Sequence, residues 1–408
     1  MRNILDFNSI KTILIRALIF IALFILFFFN LIFSTPQILS DIENNCLWVK
    51  YDSISDSSKV DSLVNFVKKN KINKIFLEPF TDGQFKYGLF DKLLDNDTYD
   101  LFNNFEYLTK EINNSEINLY AWVDAYKIWD KNFYPEDLKH FYYECPDCLE
   151  ADLNSRSDKL IKLDKVQSLE WEGIFLSPLH PQVNEYLLEI FDTIINLNLF
   201  NGIIIDYLRY QNYYYGYNLV GLENFENEYK FNPLDLNRGI ISERFGYSHI
   251  EIDSLTSLWD NYRRDGITEL LYNLNNKIIN DSLSFDVFTA VNISPFDSVN
   301  KWYQDWPKWI ADDIVDYIVV KNDALDFYDF SYNNNIIKKM YADFEYIDKI
   351  IIGINLYEIN PMNIGNKILY LRLDGFHSIS LYPYNEYKNI INWYSPVYKA
   401  INFNLRND

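Results

Sequence analysis

Between residue 45 and residue 390 the chain alternates short, almost wholly apolar runs with longer segments in which apolar residues recur every three or four positions. The apolar runs are "CLWVKYD" (46–52), "NKIFLEPF" (73–80), "INLYAWVDAY" (117–126), "GIIIDYLRY" (202–210), "FDVFTAVNIS" (285–294), "VDYIVVKND" (315–323), "DKIIIGINLYE" (348–358) and "GFHSISLYPYNE" (375–386). Near-continuous Ile, Val, Leu and Phe is the mark of parallel strands buried on both faces. Helical patterns separate them: "KVDSLVNFVKKN", "HPQVNEYLLEIFDTIINLN" with Pro181 at its start, "YRRDGITELLYNLNNKII" and "DWPKWIADD". Strand alternating with helix eight times predicts an α/β chain folded as a (β/α)₈ TIM barrel. Two long insertions are expected, at about 127–175 after the third strand and about 211–255 after the fourth.

A different pattern precedes the barrel. "ALIFIALFILFFFNLIF" (17–33) is apolar except for Asn30 and follows Arg2, Lys11 and Arg16. A run of this kind fits a transmembrane segment whose positive flank stays cytoplasmic. It is longer than the apolar part of a usual signal peptide. Residues 1–36 are therefore expected to be a signal anchor, with a signal peptide as the alternative, and residues 37–408 an exported barrel domain of the cell envelope.

Composition narrows the partners. A net charge of −21 over 408 residues excludes broad contact with nucleic acid or anionic lipid, and any anionic substrate must meet a local basic group. The three cysteines are Cys46, Cys145 and Cys148, the last two in "CPDC". In an exported chain a local disulfide is the plainest reading of that pair, with free thiols or a metal or redox role as alternatives. No phosphate-cradling glycine loop, GxSxG elbow or HExxH motif is present.

A barrel of this class carries its chemistry at the C-terminal ends of the strands. There the sequence puts carboxylates, Glu78, Asp124, Asp206 and Glu358 among them, with Trp122, Tyr207 and Tyr357 beside them. Paired carboxylates divide the work of glycoside hydrolysis, and aromatic faces can stack on sugar rings. No metal or organic cofactor is required, although an acidic mouth could also hold Ca²⁺.

Longer segments sharpen this picture. "LSPLHPQVNEYLLEIFDTIINLNLFNGIIIDYLRYQ" resembles the core of the bacterial glycosyl hydrolase-like family 10. "NKIFLEPFTDGQFKY", "LYAWVDAYK", "YRRDGITELLYNLNNKI" and the pair "SPF" and "YQDWPKWIADDIVDYIV" follow in the family's order over about residues 45–395. The resemblance implies a TIM-barrel glycosidase acting on bacterial cell-wall or related polysaccharide. It matches Asp206, the pair Arg209 and Tyr210, Arg263 to Asp265, and Asp305 with Trp306 to family elements. It also shows departures: Asn201, Glu78, Phe80, Gln84, Tyr120, Asp124 and Lys127 replace family residues, and "VKND" replaces a strand-six motif.

The expectation is an extracytoplasmic glycoside hydrolase cleaving an envelope polysaccharide, for example peptide-stripped peptidoglycan strands. Asp206 is the first carboxylate. Asp124, Glu78 and Glu358 compete for general acid, with Asp124 favoured for its place beside Trp122. Arg209 is expected to orient Asp206 or hold a substrate carboxylate. Tyr207, Trp122, Tyr87, Asn292, Asp305, Trp306, Tyr357 and Glu358 are expected to contact substrate. The rival is an inactive barrel that binds glycan or scaffolds an envelope complex.

Overall fold

The computed structural model of the chain describes residues 41–86, 99–113, 115–166, 171–341, 345–357, 360–384 and 393–403. Eight parallel strands close into a barrel: β1 (Asn44–Val49), β2 (Lys74–Thr81), β3 (Asn118–Asp124), β4 (Gly202–Asp206), β5 (Asp286–Asn292), β6 (Tyr317–Asn322), β7 (Ile350–Asn355) and β8 (Ser378–Tyr384). Each pairs in parallel with its neighbour, and β1 closes the ring by pairing with both β2 and β8. All eight lie within or beside the apolar runs of the sequence.

A helix follows each strand: α1 (Ser57–Lys69), α2 (Tyr99–Ile112), α3 (Pro181–Asn196), α4 (His249–Asn280), α5 (Trp306–Ala311), α6 (Phe327–Tyr341), α7 (Pro361–Leu373) and α8 (Ser395–Asn402). In α1, Asp56 caps the first turn and Val60, Leu63, Val64 and Val67 turn inward, the spacing that lines one face of a helix. The 32-residue α4 starts at a capping box between Ser248 and Glu251.

Side chains of each strand alternate between two cores. Outward-facing residues such as Leu47, Ile75, Ile203 and Ile205 pack against the helices. Inward-facing ones form a separate aromatic core that includes Trp48, Phe76, Tyr120, Trp122 and Phe288. Trp48 meets Trp122 edge-on at 4.9 Å and Phe76 at 5.2 Å. Beneath them Lys74 donates to Tyr120 Oη at 2.9 Å, and Tyr120 donates to Asp286 at 2.9 Å. This packing fills the lower barrel, and its upper mouth is open.

Cys145 and Cys148 form a disulfide, and Cys46 is free and buried in the barrel. Among the described residues no helix is long and apolar enough to cross a membrane; the apolar segment 17–33 lies outside them, as do Tyr87 and Glu358.

Candidate active site

At the mouth, a cavity of about 440 Å³ opens above Trp48 and Trp122. Glu78 of β2, Asp124 of β3 and Asp206 of β4 all line it, one from each of three adjacent strands. Asp124 and Asp206 are direct register partners. Their backbones are therefore one inter-strand spacing apart, about 4.8 Å, and Glu78 is two spacings from Asp206, about 10 Å. The register of β2 slips between Leu77 and Phe80. Two residues, Glu78 and Pro79, there face one on β3, a bulge of the kind that re-aims a side chain.

The three carboxylates are not equivalent. Asp206 ion-pairs with Lys321 and accepts the Tyr207 backbone N–H at 2.8 Å. Asp124 accepts from Trp122 Nε1 at 3.0 Å and lies 3.4 Å from Lys127 Nζ. Burial raises the pKa of Asp124, Lys127 lowers it, and Asp206 raises it again, with a net rise. Among the described residues no cation pairs with Glu78 as closely, Lys50 being the one that lowers its pKa. Burial first, and the Asp124 charge second, push it up to about 8, so its neutral, proton-bearing form dominates near pH 7.

The lysines answer to the same field. Burial works against charge on Lys321, but Asp206 and then Tyr207 outweigh it and the pKa rises. The same balance, led by burial and reversed by Asp124, holds for Lys127. Lys127 also sits 3.8 Å from the centre of the Tyr207 ring. Tyr207 holds that position with φ of +49°, a conformation that costs a bulky residue on the order of 1–2 kcal/mol. The unusual backbone turns the chain sharply outward after Asp206.

That turn corrects one expectation. Arg209 does not reach Asp206: its guanidinium ion-pairs with Glu172, donates to Tyr210 O at 3.1 Å and lies 4.7 Å from the Trp302 ring. Lys321 takes the place by Asp206 instead. Trp306 is fully buried among the outer helices against Tyr341, so it has no face to offer a sugar. Asp305 precedes α5, with Arg264 as its main cationic neighbour, and does not line the cavity. Asn292 is engaged by Gln304, 3.3 Å from its amide nitrogen, and is also absent from the lining. Arg263 is a buried brace, donating to Tyr215 O at 2.7 Å.

Trp122, Tyr207 and Tyr357 do line the cavity. Trp122 is 91% buried, while Tyr357 is half exposed. Among the described residues, the group of three acidic, Cys or His side chains close enough together to share one ion is Cys145, Cys148 and His180, away from the mouth.

Lys321 is a mouth residue to which no role was assigned from the sequence. Its signal was parity: in "YIVVKN", Tyr317, Val319 and Lys321 share the inward face, as Ile204 and Asp206 do on β4. Trp48 and Lys50, from β1 and the residue after it, also line the mouth.

The glycosyl hydrolase-like 10 family model matches residues 145–369, more than half of the chain. The chain belongs to that family. Among solved structures, this member is similar to the catalytic domain of β-amylase from Paenibacillus polymyxa, at 10% identity and a TM-score of 0.52 over 84% of this chain and 93% of that one. It is also similar to β-galactosidase from the psychrophilic Marinomonas ef1, at 8% identity and a TM-score of 0.53 over 84% of this chain and 54% of that one. At such identities the likeness is one of fold. No curated protein matches the sequence.

Proposed function

We propose that the protein is a glycoside hydrolase in which Glu78 is the general acid and Asp206 the second carboxylate. The observation that carries the reading is the split between them. Glu78 is buried, has no ion-pair partner among the described residues and has its pKa pushed up to about 8; Asp206 is ion-paired with Lys321. An acid poised near neutrality beside a charged carboxylate is the division of labour that glycoside cleavage needs. Glu78 protonates the departing glycosidic oxygen, and Asp206 activates water at the opposite face of the sugar. The acid thus moves from Asp124, favoured by sequence, to Glu78. Asp124 orients through Trp122 and Lys127. Tyr357 and Tyr207 offer ring faces at the cavity wall.

The substrate we propose is an envelope polysaccharide, peptide-stripped peptidoglycan strands being the first choice. The barrel, residues 37–408, works outside the cytoplasm behind an anchor in residues 1–36. Support comes from family membership and from the positively flanked apolar run at 17–33. The second reading, a glycan-binding barrel without turnover, draws on the Lys321–Asp206 pair, which engages the carboxylate that would act on water.

The test incubates the full chain in detergent micelles with amidase-stripped peptidoglycan strands and with plain α- and β-glucans, beside Asp206→Asn, with products read by mass spectrometry. New reducing ends from wild type alone are expected. Equal cleavage by both proteins removes Asp206 from the chemistry. Binding without product from either selects the binding barrel.

A further inference from the structure

The CPDC disulfide lies outside the mouth, and the glycosidase reading does not use it. With His180 it brings two sulfurs and an imidazole nitrogen, all metal-ligating atoms, close together. Cys148 and His180 are both buried, and His180 Nδ1 lies 3.5 Å from Cys148 Sγ. One ligand atom each of Cys145, Cys148 and His180 falls within 4.8 Å of the others. The side-chain amide oxygen of Gln182 lies 3.4 Å from Cys145 Sγ and 3.9 Å from Cys148 Sγ.

We propose that in its dithiol form this node binds one Zn²⁺ through Cys145, Cys148 and His180, with Gln182 or a water in the fourth position. Geometry supports it. Zinc holds thiolate sulfur at about 2.3 Å and imidazole nitrogen at about 2.0–2.1 Å, so a tetrahedral site has sulfur and nitrogen about 3.6 Å apart. Cys148 and His180 already stand at that separation. Two sulfurs on one zinc are about 3.8 Å apart, which turning the Cys145 side chain, the more exposed of the two, can supply.

The node also does not depend on the disulfide for its shape. Cys148 O accepts Ser177 N at 2.8 Å, and Asn218 Nδ2 donates to Asp147 O at 2.7 Å and Leu149 O at 2.9 Å. His180 N donates to Ser177 O at 3.1 Å. Opening the sulfur–sulfur bond therefore leaves the backbone of the ligand set in place. His180 precedes α3 without capping it through its side chain, so its ring is free for another role. The opening itself takes two electrons and two protons from a dithiol reductant, which becomes a cyclic disulfide. Zinc binding then sends both thiol protons to solvent.

The test reduces the full chain in micelles with dithiothreitol, removes the reductant under inert gas, and titrates Zn²⁺ alone against a chromophoric chelator. Reduced wild type is expected to take up one zinc per chain, and the oxidised form none. His180→Ala should weaken binding by about tenfold or more, and Cys145→Ser with Cys148→Ser should abolish it. Zinc K-edge absorption of the reduced wild type should show two sulfur donors and at least one imidazole, which keeps the test independent of how the variants fold. No uptake by the reduced protein, unchanged affinity in His180→Ala, or a shell without imidazole overturns the proposal. Cys46 is no competitor, since burial pushes its thiol up to about 12.

Discussion

Glu78→Gln tests the reading most directly, because it separates stability from activity. The substitution keeps the shape of the side chain and removes its ionisation. Wild-type Glu78 has a pKa raised from 4.5 to about 8 in the folded protein, chiefly by burial. A folded pKa above the unfolded one means that the native state holds the proton more tightly. The stability this confers is fully present below about pH 4.5 and is lost as pH rises through about 8. Integrated between those limits, the loss is about 1 kcal/mol at pH 5, about 3 at pH 7 and about 5 at pH 9. Wild type should therefore lose about 4 kcal/mol relative to Glu78→Gln between pH 5 and pH 9. Urea unfolding followed by tryptophan fluorescence at the two pH values measures this difference. The variant, more stable at high pH, should be the less active one. Wild-type turnover should fall above about pH 8 as Glu78 ionises, and below that pH Glu78→Gln should lose about 10²–10⁴ in kcat, the usual worth of a general acid. Parallel stability curves for the two proteins would refute the elevated pKa. An alkaline limb that survives in the variant would refute Glu78 as the acid.

Three further outcomes follow from the same geometry. Lys321→Met should cost about 3 kcal/mol, because it strands the buried Asp206, and adding Asp206→Asn should recover most of that in a double-mutant cycle; additive losses would mean the two residues do not interact. Trp306→Ala should destabilise the fold by about 3–5 kcal/mol through its cavity, whereas Tyr357→Ala should leave stability within about 0.5 kcal/mol and raise KM, both read from unfolding curves and initial rates. With Glu78 and Asp206 two strands apart, water fits between the carboxylates and the product should form with inverted configuration; retention, seen by proton NMR in the first minutes, would instead assign the chemistry to the neighbours Asp124 and Asp206.

How much of this was legible in the sequence depended on which face of an element a residue occupied. The barrel strands were plain because each is buried on both sides and has no polar alternation to blur it. Their ends were less so. The run "GIIIDYLRY" reads as one strand, yet β4 stops at Asp206, because Tyr207 takes a positive φ that no propensity foretells for a tyrosine. Everything after that bend was misplaced in direction, and Arg209 was sent to the wrong partner. Trp306 was misread for a different reason. Family resemblance marked "QDW" as a functional element, while the spacing of Trp306, Trp309 and Ile310 is that of a buried helical stripe, and all three are buried. Local periodicity was the better guide there. The disulfide was one of the readings the CPDC spacing allowed; the approach of His180, 32 residues away from Cys148, was not readable.

The assignment of the proton to Glu78 rests finally on a count of close cations at the mouth. Three carboxylates descend from β2, β3 and β4, and two partly buried lysines stand next to Asp124 and Asp206. Lys321 is taken by Asp206, and Lys127 by Asp124. Glu78 is left with the more distant, exposed Lys50 and with Thr81, which together do not offset burial and the neighbouring Asp124 charge. In the proposed mechanism the carboxyl left least compensated by nearby cations takes the proton. In a chain carrying a net charge of −21, the two lysines therefore do more than neutralise the mouth. In the proposed mechanism, their pairing with Asp124 and Asp206 leaves Glu78 as the carboxyl that keeps its proton and acts as the acid.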